Sequence, residues 1–137
     1  MKTLVIFYSY TGHTKPEAQR LAQMESADIA EIKDVRRPNT LKAYAMGGFA
    51  AVRGRPWPIQ PLSADLSAYD RLILLSPVWA GNPPPAVNAF LRLLPKGKAV
   101  KVKMNSASGK SGCKKLVEAV IKAKGCTVEG FEDIKVK

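Results

Sequence analysis

The 137-residue chain carries 22 lysines and arginines against 11 acidic residues, and its formal net charge is +11. This length predicts one domain, residues 1–137, with a sizeable core. The lack of a signal-peptide pattern, and of an apolar run near 18 residues, predicts a cytoplasmic protein without membrane contact. One histidine and two cysteines, Cys113 and Cys126, show no metal-ligand spacing, so we expect reduced thiols and no metal site.

The excess of positive charge allows two interpretations. It is typical of chains that bind nucleic acid, anionic membranes or acidic partners. It also describes a well-solvated, lysine-rich surface. Because the basic residues are scattered and no run of five occurs, we favour the solvated surface and predict no nucleic-acid partner.

The first 24 residues predict a strand, a polar turn and a helix. Leu4 to Tyr8 is a short apolar run rich in β-branched and aromatic residues, which is typical of a buried strand. A helix is expected over Lys15–Met24, with Thr14 as its N-cap and a glutamate three residues later. Such a helix start attracts anions, and Ser9 and Thr11 add hydroxyl donors. An ordinary capped helix after an ordinary strand explains the pattern equally well.

The remaining chain alternates between strand-like and helix-like patterns. Further strands are predicted over Ala27–Lys33 (an edge strand), Arg71–Ser76, Ala99–Met104 and Thr127–Val136. A helix is predicted from Pro84-Pro85 to Leu94, and another over Leu41–Val52, where Gly47-Gly48 interrupts the pattern. A further helix is predicted from Cys113 to Gly125, and its inward-facing residues are Cys113, Leu116, Val117, Val120 and Ile121. Prolines on both sides of Trp57 predict an extended segment. This alternation favours a parallel sheet with right-handed crossovers.

Two stretches resemble a known family. Ser9-Tyr10-Thr11-Gly12-His13-Thr14 resembles the phosphate loop of flavodoxins, with its S/T-x-T-G-x-T pattern. The stretch from Asp65 to Leu91 is similar to the D-L-x-x-Y-D strand and the S-P-V-W-A-G loop of flavodoxin-like proteins. Together with a Ser/Gly loop over Ser106–Gly112, the resemblance covers most of the chain.

The resemblance implies an α/β fold, a doubly wound five-stranded parallel sheet in the order 2-1-3-4-5 with FMN at the carboxyl ends of its strands. It implies electron transfer, or a small FMN-dependent oxidoreductase, working with a redox partner protein or a small-molecule acceptor. Gly81 or Asn82 would lie near flavin N5, and His13 would contact the phosphate loop rather than act as a general acid, so we assign no catalytic residue. The implied cofactor-binding residues are Ser9, Tyr10, Thr11, Gly12, His13, Thr14, Pro77, Val78, Trp79, Ala80, Gly81, Asn82, Ser106 and Gly109.

Alternatives stay open at this point. Trp79 fits a core position as well as a flavin platform, and the Ser/Gly loop fits a plain linker. A phosphatase or Mg²⁺-dependent receiver is disfavoured, because the first loop has no cysteine and no acidic cluster follows the first strand. A flavodoxin-like scaffold that lacks the cofactor, through truncation or engineering, remains the main competing hypothesis.

One departure from the family pattern concerns the end of the chain. Flavodoxins carry a fifth helix after the last strand, and this sequence shows none. In the fourth predicted strand Lys101 and Lys103 alternate with apolar residues, the pattern of a strand with one wet face. We therefore expect both ammonium groups to be exposed and the uncovered sheet face to promote self-association.

Overall fold

The computed structural model describes residues 2–9, 14–35, 56, 58–79 and 81–135. The helix predicted over 41–52 and Trp57 itself lie outside these ranges, whereas Pro56 and Pro58 on either side of Trp57 are described. Strands are β1 (Thr3–Phe7), β2 (Asp28–Glu31), β3 (Arg71–Pro77), β4 (Ala99–Ser106) and β5 (Thr127–Lys135), and helices are α1 (Thr14–Met24), α2 (Pro85–Arg92) and α3 (Lys114–Ala123), with a 3₁₀ turn at Leu66–Ala68. None of these helices is long and apolar enough to cross a membrane.

The five strands form one sheet in the order β2-β1-β3-β4-β5, and every described pair is parallel. This α/β arrangement confirms the doubly wound, flavodoxin-like fold expected from the sequence. Strand β3 lies at the centre, and its residues 72–76 are all buried. An apolar run of this kind is what a parallel strand with both faces covered requires. The carboxyl ends of all five strands consequently meet at one edge of the sheet.

Two hydrophobic clusters lie on opposite faces of the sheet. On the face that packs against α2 and α3, which we call the α2/α3 face, the cluster includes the fully buried side chains Phe90, Val102 and Ile121. The other face, the α1 face, has a much smaller cluster in which Ala18 and Ala22 of α1 pack on β1 and β3. The sheet is therefore covered unequally.

The boundaries of several elements differ from the predicted ones. Strand β2 is shortened to four residues at the sheet edge, whereas β4 extends through Ser106. Helix α1 begins at Thr14, the residue that the sequence predicted as its N-cap. The prediction that Leu116 faces inward is wrong, since this side chain is 48% exposed. It lies about 100° around the helix from the buried Val117, outside the inward stripe.

The two lysines of β4 lie on the α1 face, as their alternation predicts, but they are not free in water. The side chains of Lys101 and Lys103 are 26% and 19% exposed. Their ammonium groups lie 3.3 and 3.8 Å from the two carboxylate oxygens of Glu132 on β5. The expectation of exposed ammonium groups did not include this acidic partner on the neighbouring strand.

Candidate functional site

The first loop of the candidate site leaves β1 at a point held by both neighbouring strands. The amide of Ile32 donates to the carbonyl of Phe7 at 2.7 Å, and the amide of Tyr8 donates to the carbonyl of Leu75 at 3.1 Å. These bonds extend the pairing of β1 past its last strand residue. The start of the loop is therefore fixed relative to both β2 and β3.

Two hydroxyl side chains flank the loop. The Ser9 hydroxyl is buried and has no hydrogen-bond partner among the described residues. Thr14 is 3% exposed at the first turn of α1. Tyr10, Thr11, Gly12 and His13 lie outside the described residues. The buried hydroxyl and the helix start thus lie on either side of the predicted phosphate loop, where the sequence placed them.

A buried tyrosine that was not among the predicted site residues links the first loop to the second. Tyr8 is 2% exposed, and its hydroxyl donates to Asp34 Oδ2 at 2.7 Å. Its ring meets the Trp79 ring edge-on, with centroids 6.0 Å apart. Asp34 also pairs with Ile59 in an isolated antiparallel bridge. A tyrosine at the end of an apolar strand usually finds a partner for its hydroxyl, and that was the available signal.

The second loop is a tight turn that presents Trp79. The amides and carbonyls of Trp79 and Asn82 are hydrogen-bonded in both directions, at 2.8 and 3.0 Å. Gly81, the third residue of the turn, has a φ of +78°, which side chains other than glycine seldom adopt. Trp79 and Val78 are half-buried against the edge of the α2/α3-face cluster. Trp79 therefore contacts the core and also retains an accessible part; Ala80 lies outside the described residues.

The second and third loops touch at Gly81. A Cβ atom on this residue would lie 3.2 Å from the carbonyl oxygen of Ser111. Glycine is therefore required here both for its backbone angle and for the close approach. Pro77 ends β3 and pairs in register with Asn105 of β4, directly before the third loop. The structure thus brings the candidate residues of the two loops to the same edge of the sheet.

The serines of the third loop are engaged within the loop itself. The Gly109 amide donates to Ser106 Oγ at 3.0 Å, and the Lys110 amide donates to Ser108 Oγ at 3.2 Å. A Cβ atom on Gly109 would lie 3.1 Å from Cβ of Lys135, so this glycine packs on the end of β5. Ser106 and Gly109 hold the loop in shape, and their assignment to a cofactor remains a prediction.

The thiol nearest to this edge is Cys113, directly before α3. It is 2% exposed, and burial raises the pKa of its thiol. At neutral pH the thiol stays protonated, because burial disfavours the thiolate. Cys113 is therefore a packing residue rather than a nucleophile. In the described part of the chain, no cluster of His, Cys, Asp and Glu side chains could hold a metal ion.

Open space is found beside the first loop. A cavity of about 300 Å³ is lined by seven residues, among them Tyr8, Ser9 and Asp34. A second cavity of about 410 Å³ lies between α1 and β2 and shares Glu31, Lys33 and Gln60 with the first. Both cavities therefore lie on the β2 side of the first loop.

Comparison of the sequence with known proteins gives few matches. No protein-family model matches the chain. An uncharacterized protein from Archaeoglobus fulgidus is 28% identical over 96 residues, which are 70% of this chain and 60% of that protein. This chain therefore spans about 60% of the length of that curated relative.

Solved structures give broader matches. A flavoprotein from Lactobacillus acidophilus, crystallised in complex with FMN, superposes with a TM-score of 0.77 at 25% identity and covers 95% of this chain and 91% of its own. Oxidised flavodoxin 1 from Bacillus cereus superposes with a TM-score of 0.57 at 18% identity, over 100% of this chain and 87% of its own. Flavodoxin-like flavoproteins are thus the structural relatives that the sequence resemblance predicted.

Proposed function

We propose that this chain, a flavodoxin-like protein by fold, binds FMN and acts in electron transfer or as a small FMN-dependent oxidoreductase. The observation that carries the proposal is the buried Ser9 hydroxyl without a partner, placed one loop before the start of α1. A buried polar group that is left unpaired costs free energy, so a native site of this kind calls for an explanation. A phosphate oxygen would accept from the Ser9 hydroxyl and be stabilised by the helix start.

The described residues fit FMN at three points. Ser9 and Thr14 would hold the phosphate, and Trp79 offers a flat aromatic surface at the same sheet edge. Gly81 leaves room for close approach of the backbone between the second and third loops. When bound, the flavin supplies the redox chemistry, while the protein binds and orients it and sets its electrostatic surroundings. The similarity to a flavoprotein crystallised with FMN supports the same choice of cofactor.

The phosphate assignment is tested by titrating the purified chain with FMN and with riboflavin, which lacks the phosphate. We expect FMN to bind far more tightly. Ser9→Ala should weaken FMN binding by roughly 1.5–3 kcal/mol, the value of a hydrogen bond to a charged group, and leave riboflavin nearly unchanged. Thr127→Ala, which changes an exposed residue at the amino end of β5, away from the candidate site, is the matched control. Equal affinity for the two flavins contradicts the phosphate site, and no binding of either favours the scaffold without a cofactor.

The place of the flavin ring is tested with Trp79. The chain has two tryptophans, so a Trp57→Phe background leaves Trp79 as the sole indole reporter. We expect FMN to quench its fluorescence, and Trp79→Ala to weaken both flavins by about 1 kcal/mol, as for an aromatic pair. If Trp79→Ala unfolds the protein, the core interpretation of this residue is correct.

Whether the chain carries electrons or turns over a substrate is a question of its partner. The FMN-loaded chain, reduced by light, should pass electrons to a one-electron acceptor protein if it is a carrier. If it is an oxidoreductase, a hydride donor and a small-molecule acceptor should support repeated turnover. Stopped-flow absorbance at the flavin bands distinguishes the two outcomes.

A further inference from the structure

The basic residues are scattered along the sequence, but the structure gathers many of them on one side. Two segments, 84–98 and 106–126, cover the α2/α3 face, and we call them the α2/α3 layer. They contain eight basic side chains and one acidic side chain, Glu118, which gives a charge of +7. The other described residues contain eight basic and ten acidic side chains, which gives −2. The basic residues of the layer are Arg92, Lys96, Lys98, Lys110, Lys114, Lys115, Lys122 and Lys124.

No acidic side chain elsewhere in the chain neutralises this layer. All eleven acidic residues of the sequence are among the described ones, so the residues outside the described ranges bring none. None of the eight basic side chains belongs to an ion pair of the described structure. Acidic groups at the borders of the layer are Asp65, within electrostatic range of Lys98, and Asp133, within range of Cys113. The layer therefore presents uncompensated positive charge to any partner.

Three of these lysines lie beside the candidate site. Lys110 in the third loop and Lys114 and Lys115 in the first turn of α3 are all exposed. The third loop reaches the second through the contact between Ser111 and Gly81. The helix dipole disfavours cations at a helix start, and the first turn of α3 contains no acidic residue to offset them. Helix stability therefore does not account for their position.

An exposed apolar side chain adjoins the three lysines. Leu116 follows Lys115 directly and is 48% exposed. One exposed leucine is ordinary on a protein surface. An apolar contact surrounded by charged and polar groups is, however, the usual composition of a protein–protein interface. Leu116 and the three lysines together form what we call the third-loop patch.

The composition of the layer favours an acidic protein over other polyanions. Recognition of nucleic acids relies on arginine and on exposed aromatic rings. The layer has a single arginine, and the exposed large hydrophobic residues of the described structure include no aromatic one. A helix that binds a membrane surface turns an apolar stripe outward. The stripe of α3, Val117 and Ile121, is buried against the sheet instead.

We propose that an acidic electron-transfer protein docks on the third-loop patch, with its carboxylates on Lys110, Lys114 and Lys115 and an apolar contact at Leu116. The redox role of this partner rests on the proposed function. Opposite charges steer the two proteins together and fix their orientation. Docking at this place brings the partner beside the candidate flavin site. Within the complex one electron leaves the donor and enters the acceptor, and no atom is transferred.

The experiment is calorimetric titration of the full chain with two small electron carriers of opposite charge. The acidic probe is a [2Fe–2S] ferredoxin of strongly negative net charge, and the control is a basic cytochrome c. Salt is varied between about 0.01 M and about 1 M, where the screening length falls from about 30 Å to about 3 Å. We expect the ferredoxin to bind, with an affinity that falls as salt rises, and cytochrome c not to bind.

Substitutions distinguish a local patch from the overall charge. Lys115→Gln should weaken ferredoxin binding roughly two- to fivefold, as expected for one exposed ion pair. Gln23→Glu is the matched control, because it lowers the net charge equally at an exposed position of α1, across the sheet. It should leave binding nearly unchanged.

The apolar contact has its own pair of variants. Leu116→Ala should weaken binding about fivefold at every salt concentration, since partial burial of a leucine does not depend on screening. Met24→Ala, which changes an exposed residue of α1, is the matched control and should have no effect. All four substituted side chains are exposed, so the fold should be retained, which circular dichroism checks.

Several outcomes would overturn the proposal. They are no ferredoxin binding at low salt, equal binding of the two carriers, equal loss in Lys115→Gln and Gln23→Glu, and no loss in Leu116→Ala. A short DNA duplex or phosphatidylserine vesicles are titrated in the same way. If either binds more tightly than the ferredoxin and loses affinity in Lys115→Gln, the patch belongs to that polyanion instead. Because these titrations need no flavin, the docking surface and the proposed cofactor can fail separately.

Discussion

The two faces of the sheet are built from the same strands but differ in helix coverage and in the side chains they carry. On the α2/α3 face, two helices cover β3, β4 and β5, and residues such as Val100, Val102 and Met104 are fully buried. On the α1 face, α1 is the one helix among the described residues that covers β1 and β3, and β4 carries Lys101 and Lys103 there. Strand β4 therefore has an apolar face and a charged face, because neighbouring residues point to opposite sides of the sheet. Helix coverage, rather than the strand itself, decides which residues it tolerates.

The largest expected difference in stability between the faces comes from two opposite substitutions, Val102→Lys and Lys103→Val. Val102 is 0% exposed, so Val102→Lys would bury an unpaired charge and should destabilise the protein by about 3–5 kcal/mol. Lys103→Val removes a half-exposed ion pair and should change stability by less than about 1 kcal/mol. Urea denaturation measures both. Similar losses for the two variants would mean that the α1 face is as tightly covered as the other.

A smaller contrast is expected between helix residues. Ile121 of α3 is 0% exposed, and Ile121→Ala should cost about 2–5 kcal/mol from lost burial and the cavity left behind. Leu21 of α1 is half-buried against the α1-face cluster, so Leu21→Ala should cost about 1 kcal/mol, a fraction of full burial. Thermal unfolding of dilute, low-salt samples provides the comparison. A Leu21→Ala loss as large as that of Ile121→Ala would contradict the unequal covering.

The smallest effect concerns the ion pairs of the α1 face. The hydrogen bond from Arg71 lowers the pKa of Glu129 below its ordinary value of 4.5. A depressed carboxylate pKa stabilises the fold above the unfolded-state value, and this contribution is lost as pH falls through the folded-state value. Because Glu129 is partly exposed, Glu129→Gln should cost at most about 1 kcal/mol at neutral pH.

The pH dependence provides the check on this ion pair. The stability difference between wild type and Glu129→Gln should shrink as the pH falls below about 4.5, where the unfolded carboxylate also takes up its proton. Urea midpoints at pH 7 and at acid pH measure it. A difference that stays constant over this range would show that the Arg71–Glu129 pair does not act through charge.

The fold could be predicted from the sequence to a large extent, because its signals are local. The apolar run of β3 and the alternation in β4 are each contained within a few residues. The phosphate-loop pattern and the turn around Trp79 resemble a family whose strand order the structure confirms. The loops of the candidate site were predicted from the sequence, and their binding of FMN remains a proposal. The contacts between these loops were not predicted, because they join residues far apart in the chain.

Tyr8 and Asp34 are 26 positions apart, and the pattern of β1 alone predicted only that Tyr8 is buried. Similarly, Lys101 and Lys103 showed which face they occupy, but their partner Glu132 lies on another strand whose register includes a bulge. Periodicity determines the face of an element on which a side chain lies, because it depends on backbone geometry alone. Which side chain it meets across the sheet depends on register, bulges and helix coverage. For this protein the sequence by itself determined the α/β order, the buried strands and the polar loops. The tertiary structure decided that Tyr8 contacts both Asp34 and Trp79, that Leu116 points outward, and that the described residues cover the two sheet faces unequally, since each depends on how separate elements pack.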